Sequence, residues 1–371
     1  MLRIYRGLAM AALSSLLLLL AGCQKTNDAP SIQTFLVTSW KTYKEVFIRP
    51  EGYVWDQTRQ EVTSEGQSYA LLRAAWMGDR ETFDRVFAWT EGHLARPDGL
   101  YAWQWTPMDG GHIVDANTAT DADQDIAFAL ILAGHAFQKT TYRDRAKTLL
   151  AAIRHGEGIG VDGGWVPCAG NWAVADRIIN FSYFTFYAYP HFARLDPEGD
   201  WLGVRERCYN LLTRFLAQKD VVLPADFAQL TTSGAFAPVA GRGRLSDDFS
   251  FDAMRVYWRV AMDCLLNNDP RACADPAQVR AIVDILARDG TLFSQYNVYG
   301  KKKSEMTSVS FYGSILAALK FQYPQLAGSL VAKELSPLAL TAIGKNPSRY
   351  YDNNWTWFGL AAWSGFLPAL P

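Results

Sequence analysis

Three aspartates fall within five residues, Asp121, Asp123 and Asp125, in the stretch ANTATDADQDIAFALILAGHAF from Ala116 to Phe137. Carboxylates held against buried surface are raw material for proton transfer, because burial and a like-charged neighbour both resist ionisation. Side chains at i and i+4 share a helix face, so Asp121 and Asp125 point one way and Asp123 is rotated off. The segment runs straight into Ile126, Leu130, Ala133 and Phe137, which recur as one buried stripe of an α-helix. Thr118 or Thr120 is placed to cap that helix, and acids in its first turn suit the positive end of its dipole. Stabilising a helix start is the ordinary role of such acids. The core stripe that follows them sets these apart.

Other candidate residues are weaker when taken singly. Ser64 stands three before Gln67, a capping-box spacing, and places Glu65 in the first turn of a helix beside Gly66. Asp252 and Arg255 form an i,i+3 pair, which is common on helices. The five histidines are scattered, HExxH does not occur and the cysteines lack metal-ligand spacing, so neither metal catalysis nor a cofactor is implied. The Gly-rich run from His155 to Trp165 follows no strand and has no lysine for a phosphate.

These residues must be positioned by helices. Helical periodicity runs over 31–47, 65–78, 80–95, 118–138, 140–154, 180–194, 200–217, 250–267, 275–288, 305–322, 324–334 and 355–366. Strand-like alternation is rare and no βαβ rhythm appears. The chain therefore reads as all-α, built of stacked helical hairpins in either a solenoid or a closed barrel, and no sequence repeat favours the solenoid. Long connections at 97–117, 155–179 and 218–249 are where a cleft would be built.

Composition narrows the partners. A net charge of −1 gives no electrostatic reason to expect nucleic acid or an acidic polymer. Aromatics reach 13%, with 13 Trp and 17 Tyr. Sugar rings stack on aromatic faces, so a carbohydrate cleft is a natural use for the surplus. At the N-terminus, Arg3 and Arg6 precede the apolar run Leu8 to Leu20, too short to span a bilayer comfortably. Leu20-Ala21-Gly22-Cys23 resembles a bacterial lipobox, giving a signal peptide over 1–22, a lipid on Cys23, a tether over 23–30 and a single domain over 31–371. Cys264 and Cys273 enclose a turn-like loop and are the expected disulfide, with Cys168 and Cys208 as the other pair.

The string Ala119-Thr120-Asp121-Ala122-Asp123-x-x-Ile126-Ala127-x-Ala129-Leu130-Ile131-x-Ala133-x-x-x-Phe137 resembles the signature of glycoside hydrolase family 8. That resemblance implies an (α/α)6 barrel with a cleft at the loop end, and inverting hydrolysis of β-1,4-linked polysaccharide. Val62 to Tyr69 is similar to the segment of the family's general acid, which falls on Glu65. Phe249 to Val256 resembles the segment of the base, which falls on Asp252, with Arg255 one turn on. Asp121 matches the aspartate that grips the sugar at the cleavage site. It would also offset the helix dipole, which alone would favour ionised Glu65. Trp103, Trp172, Tyr183, Tyr350 and Tyr351 fall on cleft-lining segments. Three departures stand out: Cys168-Ala169 inserted in the Trp165 to Trp172 loop, Phe181 where the family has proline, and Phe251 where it has tyrosine.

By this resemblance the substrate is cellulose or a cellulose-like exopolysaccharide, with chitosan, xylan and mixed-linkage glucan open. A hydrolysis-defective periplasmic glycan-binding protein is the reading from another class. The expected setting is a monomer on the outer membrane facing the periplasm. It would be held by lipid alone, beside polysaccharide synthesis and secretion machinery.

Overall fold

The computed structural model describes residues 31–371 except 240, 242, 244 and 275. The expected signal peptide, Cys23 and tether lie outside the described residues. Among them are fourteen α-helices. The first seven are α1 (Ile32–Phe47), α2 (Ser64–Trp76), α3 (Arg80–His93), α4 (Thr120–Ala136), α5 (Thr140–Gly156), α6 (Tyr189–Leu195) and α7 (Trp201–Leu216). The others are α8 (Arg255–Asn267), α9 (Pro270–Ala274), α10 (Arg280–Asp289), α11 (Val309–Gln322), α12 (Pro324–Lys333), α13 (Pro337–Gly344) and α14 (Tyr350–Ser364).

Two kinds of helix alternate. In α2, α4, α8, α11 and α14 nearly every residue is buried, on all faces. In α1, α3, α5, α7 and α10 one apolar face is buried and the rest is polar, the pattern of an outer layer. These buried helices, with the short and partly buried α6, pack in a ring: α2 on α4, α4 on α6, α8 on α11, and α11 on α14. Asn267 of α8 reaches the carbonyl of Tyr187, just ahead of α6. Edge-on pairs Tyr69–Trp355 and Trp76–Trp357 close α14 onto α2. The result is an (α/α)6 barrel. Its tightest seam joins α11 to α14, where a Cβ on Gly359 would meet the Gly313 carbonyl oxygen at 1.9 Å; only glycine lets these backbones touch.

Three small antiparallel sheets lie in or against the long connections. The first orders β1 (Val62–Thr63), β2 (Gln104–Thr106) and β3 (His112–Asp115). The second pairs β4 (Gly158–Val161) with β5 (Gly164–Pro167), and the third orders β6 (Ile178–Ile179), β7 (Ala228–Leu230) and β8 (Phe236–Ala237). Pairing of Thr63 with Gln104 and a bond from Ser64 N to the Trp103 carbonyl (2.9 Å) set the Trp103 segment against the start of α2.

Several local expectations are corrected. The cap of α2 is Thr63, whose hydroxyl accepts from Gly66 N, while Gln67 turns inward to Val54 N and the Thr90 hydroxyl. Ala119 caps α4 without a side-chain bond, because Thr118 instead donates to Glu157 (2.5 Å). The segment 180–188 is not the start of a helix. Asn180 accepts from Ser182 N and closes a tight turn, and Pro190 stands in the first turn of α6. The stripe on α4 understates it, since every residue from Thr120 to Gly134 is buried. Cys264 and Cys273 are joined, whereas Cys168 and Cys208 are free and buried. Each thiol has another neighbour: Cys168 donates to the Gly170 carbonyl and Cys208 lies 3.8 Å from the Tyr189 hydroxyl.

Candidate active site

Arg255, at the start of α8, gathers the carboxylates. Its Nη1 donates to Glu65 Oε2 of α2 at 2.5 Å, to Asp121 Oδ2 of α4 at 2.9 Å and to the Tyr69 hydroxyl at 3.1 Å. Its Nη2 donates to Asp252 Oδ1, in the turn ahead of its own helix. Three acids far apart in sequence thus converge on one guanidinium, a planar fork suited to holding several oxygens in fixed directions.

Exposure divides them. The side chains of Glu65 and Asp252 are 25% and 31% exposed, Asp121 only 1% and Arg255 none. Glu65 and Asp252 line one cavity of about 340 Å³ with Asp56, Arg59, Glu61 and Tyr351. Asp121 lies beneath them. Burial pushes its carboxyl up to about 7 against the pull of Arg255, and repulsion from Glu65 adds to the rise. Burial also raises Asp252; Arg255 and the Asn180 carboxamide beside it draw it down, while Asp121 pushes it up.

Aromatic rings flank the carboxylates. The half-buried Tyr183 ring lies 5.4 Å from the Arg255 guanidinium carbon. Phe227 packs between Tyr183 and the 37% exposed Trp172, at 6.4 and 6.5 Å. Opposite, the 40% exposed Phe251 meets Tyr351 edge-on at 5.7 Å, and the Tyr351 hydroxyl donates to the Phe251 carbonyl at 2.6 Å. Trp103 is half-buried and fixed through its backbone, which leaves its ring placed without a ring partner among the described residues. Tyr350 lines the cavity but is buried. A Cβ on Gly66 would stand 2.6 Å from its hydroxyl, so this glycine admits Tyr350 to the first turn of α2. Two acids open to one cavity, a third below and an aromatic wall of Phe251, Tyr350 and Tyr351 can grip a sugar chain and move protons at two of its faces.

A model of the glycosyl hydrolases family 8 matches residues 7–362. The chain belongs to that family. Endoglucanase A of Acetivibrio thermocellus is 28% identical over 316 residues, which cover 79% of this chain and 62% of that protein. The endoglucanase of Cellulomonas uda is 30% identical over 224 residues, 59% of this chain and 61% of that one. The chain spans about three fifths of the length of these two curated relatives. Among solved structures, the endo-1,4-D-glucanase of Vibrio fischeri ES114 is similar with a TM-score of 0.76 and 26% identity, over 87% of this chain and 94% of that one.

In this family 8 chain, Glu65, Asp252, Tyr350 and Tyr351 line the cavity and Arg255 joins Asp121 to it, with Tyr183 against Arg255. Trp103 and Trp172 are not among the residues that line it, and Cys264 and Cys273 lie elsewhere, on α8 and α9. Tyr69, the last residue of the Val62 to Tyr69 segment but given no role there, reaches Arg255 from the second turn of α2. Phe227 completes an aromatic wall from a connection without periodicity. Asp123, rotated off the Asp121 face as the spacing requires, faces Glu157 inside the protein, and its Oδ1 accepts from Tyr101 N at 3.2 Å. Burial pushes Glu157 up to about 7 and raises Asp123 well above the usual carboxylate range, with Glu157 beside it adding to the rise, which fits one proton held between them. Through Thr118, which also accepts from Asn171 N at 2.9 Å, this pair ties the start of α4 to the Trp172 loop.

Proposed function

We propose that the chain is an inverting endo-β-1,4-glucanase acting on cellulose or a cellulose-like exopolysaccharide. The observation that carries this reading is the pair Glu65 and Asp252, open to one cavity and bound to the same arginine. Glu65 is the acid that protonates the departing glycosidic oxygen. Asp252 is the base that takes a proton from water attacking the opposite face of the sugar. Asp121, below them, holds the sugar at the cleavage point, and Arg255 keeps the carboxylates in register. Trp172, Tyr183, Tyr351 and Trp103 form the stacking surface, and Tyr350 shapes the wall behind Glu65. The names of the two relatives, both endoglucanases, support a glucan, and that of the Vibrio fischeri endo-1,4-D-glucanase supports the 1,4 linkage.

The same reading places the protein outside the cytoplasm, anchored to the outer membrane by lipid on Cys23 and acting as a monomer beside polysaccharide export machinery. The Cys264–Cys273 disulfide supports an oxidising compartment.

The test is reducing-end release by the chain from residue 31 on carboxymethylcellulose, mixed-linkage glucan, xylan and chitosan, with Glu65→Gln as control. Proton NMR of the first products reads the anomer. Release from carboxymethylcellulose as the inverted anomer, absent in the control, is expected. Turnover of another polymer alone would keep the mechanism and replace the substrate. A folded chain silent on every polymer would overturn the enzyme reading in favour of glycan binding.

A further inference from the structure

Asp226 precedes β7 and is 3% exposed, and no motif marks it. Its backbone N–H donates to the Asp248 carbonyl at 2.7 Å and that of Phe227 to Ser246 at 3.0 Å, which stitches the two arms of the 218–249 connection together. Its side chain goes elsewhere, to the turn that bears Asp252. Oδ1 accepts from Ser250 N at 3.0 Å and from Ala253 N at 2.7 Å, and Oδ2 accepts the Ser250 hydroxyl. Three donors on two oxygens is the pattern of an ionised carboxylate. Asp252 lies between the two anchored residues, so its backbone cannot shift without breaking a bond to Asp226.

A buried carboxylate facing another carboxylate is costly. Burial, then repulsion from Asp252, pushes Asp226 up, and the hydrogen bonds from Ser250 and Ala253 draw it back towards the anion. A neutral asparagine could close the same turn through its oxygen without that cost. The charge therefore calls for a reason as well as the bonds. Asp252 is otherwise faced by Arg255 of α8, by Asp121 of α4, by Glu65 of α2 through Arg255, by Tyr183 and Tyr351, and by the Asn180 carboxamide. Arg255 and Asn180 favour the anion and so weaken it as a base; negative neighbours restore it.

We propose that Asp226 is the positioning residue of the base: it fixes the 250–253 turn, and its negative charge opposes Arg255 so that Asp252 takes a proton from water. The inference rests on reading Asp252 as the base.

The experiment is kcat and KM against pH for the full chain and its Asp226→Asn variant, on a polymer the unsubstituted enzyme cleaves. The variant keeps an acceptor oxygen and loses the charge. Expected is a fall in kcat of about tenfold or more with KM within about threefold, and an acid limb of kcat/KM moved to lower pH by about one unit. A folded variant whose acid limb stays in place overturns the proposal whatever its rate, because a purely structural role leaves the limb unmoved. Should Asp226→Asn not fold, Ser250→Ala removes one bond and keeps the charge. It should lower kcat with the limb unchanged, and full activity would overturn the proposal. Asp252→Asn separates the two readings: a variant that keeps its rate would refute Asp252 as the base, independently of Asp226.

Discussion

The Arg259 guanidinium holds both carboxylate oxygens of Asp125, at 2.6 and 2.8 Å, one helical turn below the Asp121–Arg255 pair. Both partners are buried, and the Tyr187 hydroxyl donates to the same carboxylate at 2.8 Å. The two rungs follow from i,i+4 spacing on α4 facing i,i+4 spacing on α8. Removing one member leaves an uncompensated buried charge. Asp125→Ala should lower stability by about 3–5 kcal/mol in chemical denaturation, while Asp125→Ala with Arg259→Met should recover much of it. A single variant as stable as the parent would show that the pair holds nothing.

Glu65→Gln and Asp252→Asn should each lower kcat by about 10²–10⁴-fold, measured as reducing-end release, without loss of the folded state by circular dichroism. Asp121→Asn should also fold and lose activity by orders of magnitude. Near-normal turnover by any of the three would remove that residue from the proposed mechanism.

The buried acids also give stability a slope with pH. Folding raises Asp121 from 3.8 and Glu157 from 4.5, each to about 7. Between those values the folded chain keeps protons that the unfolded chain has released. Their contribution is full below about pH 4, falls as pH rises towards about 7 and levels above it. Glu157→Gln should flatten part of this decline in melting temperature between about pH 5 and pH 8. Parallel curves for variant and parent would contradict the raised carboxyl.

Reducing the Cys264–Cys273 disulfide, which links residues nine apart, should cost about 2–3 kcal/mol through loop entropy in the unfolded chain. A double Cys→Ser variant compared with the parent by urea titration checks it. The ion pairs of Arg205 with Asp263 and Asp269, beside the bridge, should keep the local fold in place.

What the sequence disclosed and what it hid divide along physical lines. The ring helices were legible where apolar periodicity is long, as in α4, and Asp121, Asp125 and Asp123 fell on the faces their spacing dictates. Caps were misread where a tertiary partner competed. Thr118 serves Glu157, and Gln67 of the expected capping box serves Val54 and Thr90, which leaves the cap to Thr63. The 180–188 segment has helical composition but is bent by the Asn180 turn. Asp226 could not be found because its meaning lies in Ser250 and Ala253, more than twenty residues on. A side chain whose partners come only from another loop leaves no local pattern.

The seam between the ends of the barrel has a temporal consequence. Tyr350 and Tyr351 of α14 wall the cavity, Asn353 and Asn354 receive Arg73 of α2, and Trp357 donates to the Leu36 carbonyl of α1 across 321 residues. A nascent chain that has already exposed Glu65, Asp121 and Asp252 still lacks one side of its cleft. The cleft is therefore complete only when contacts spanning up to 321 residues have formed, the non-local kind that a chain is slowest to make.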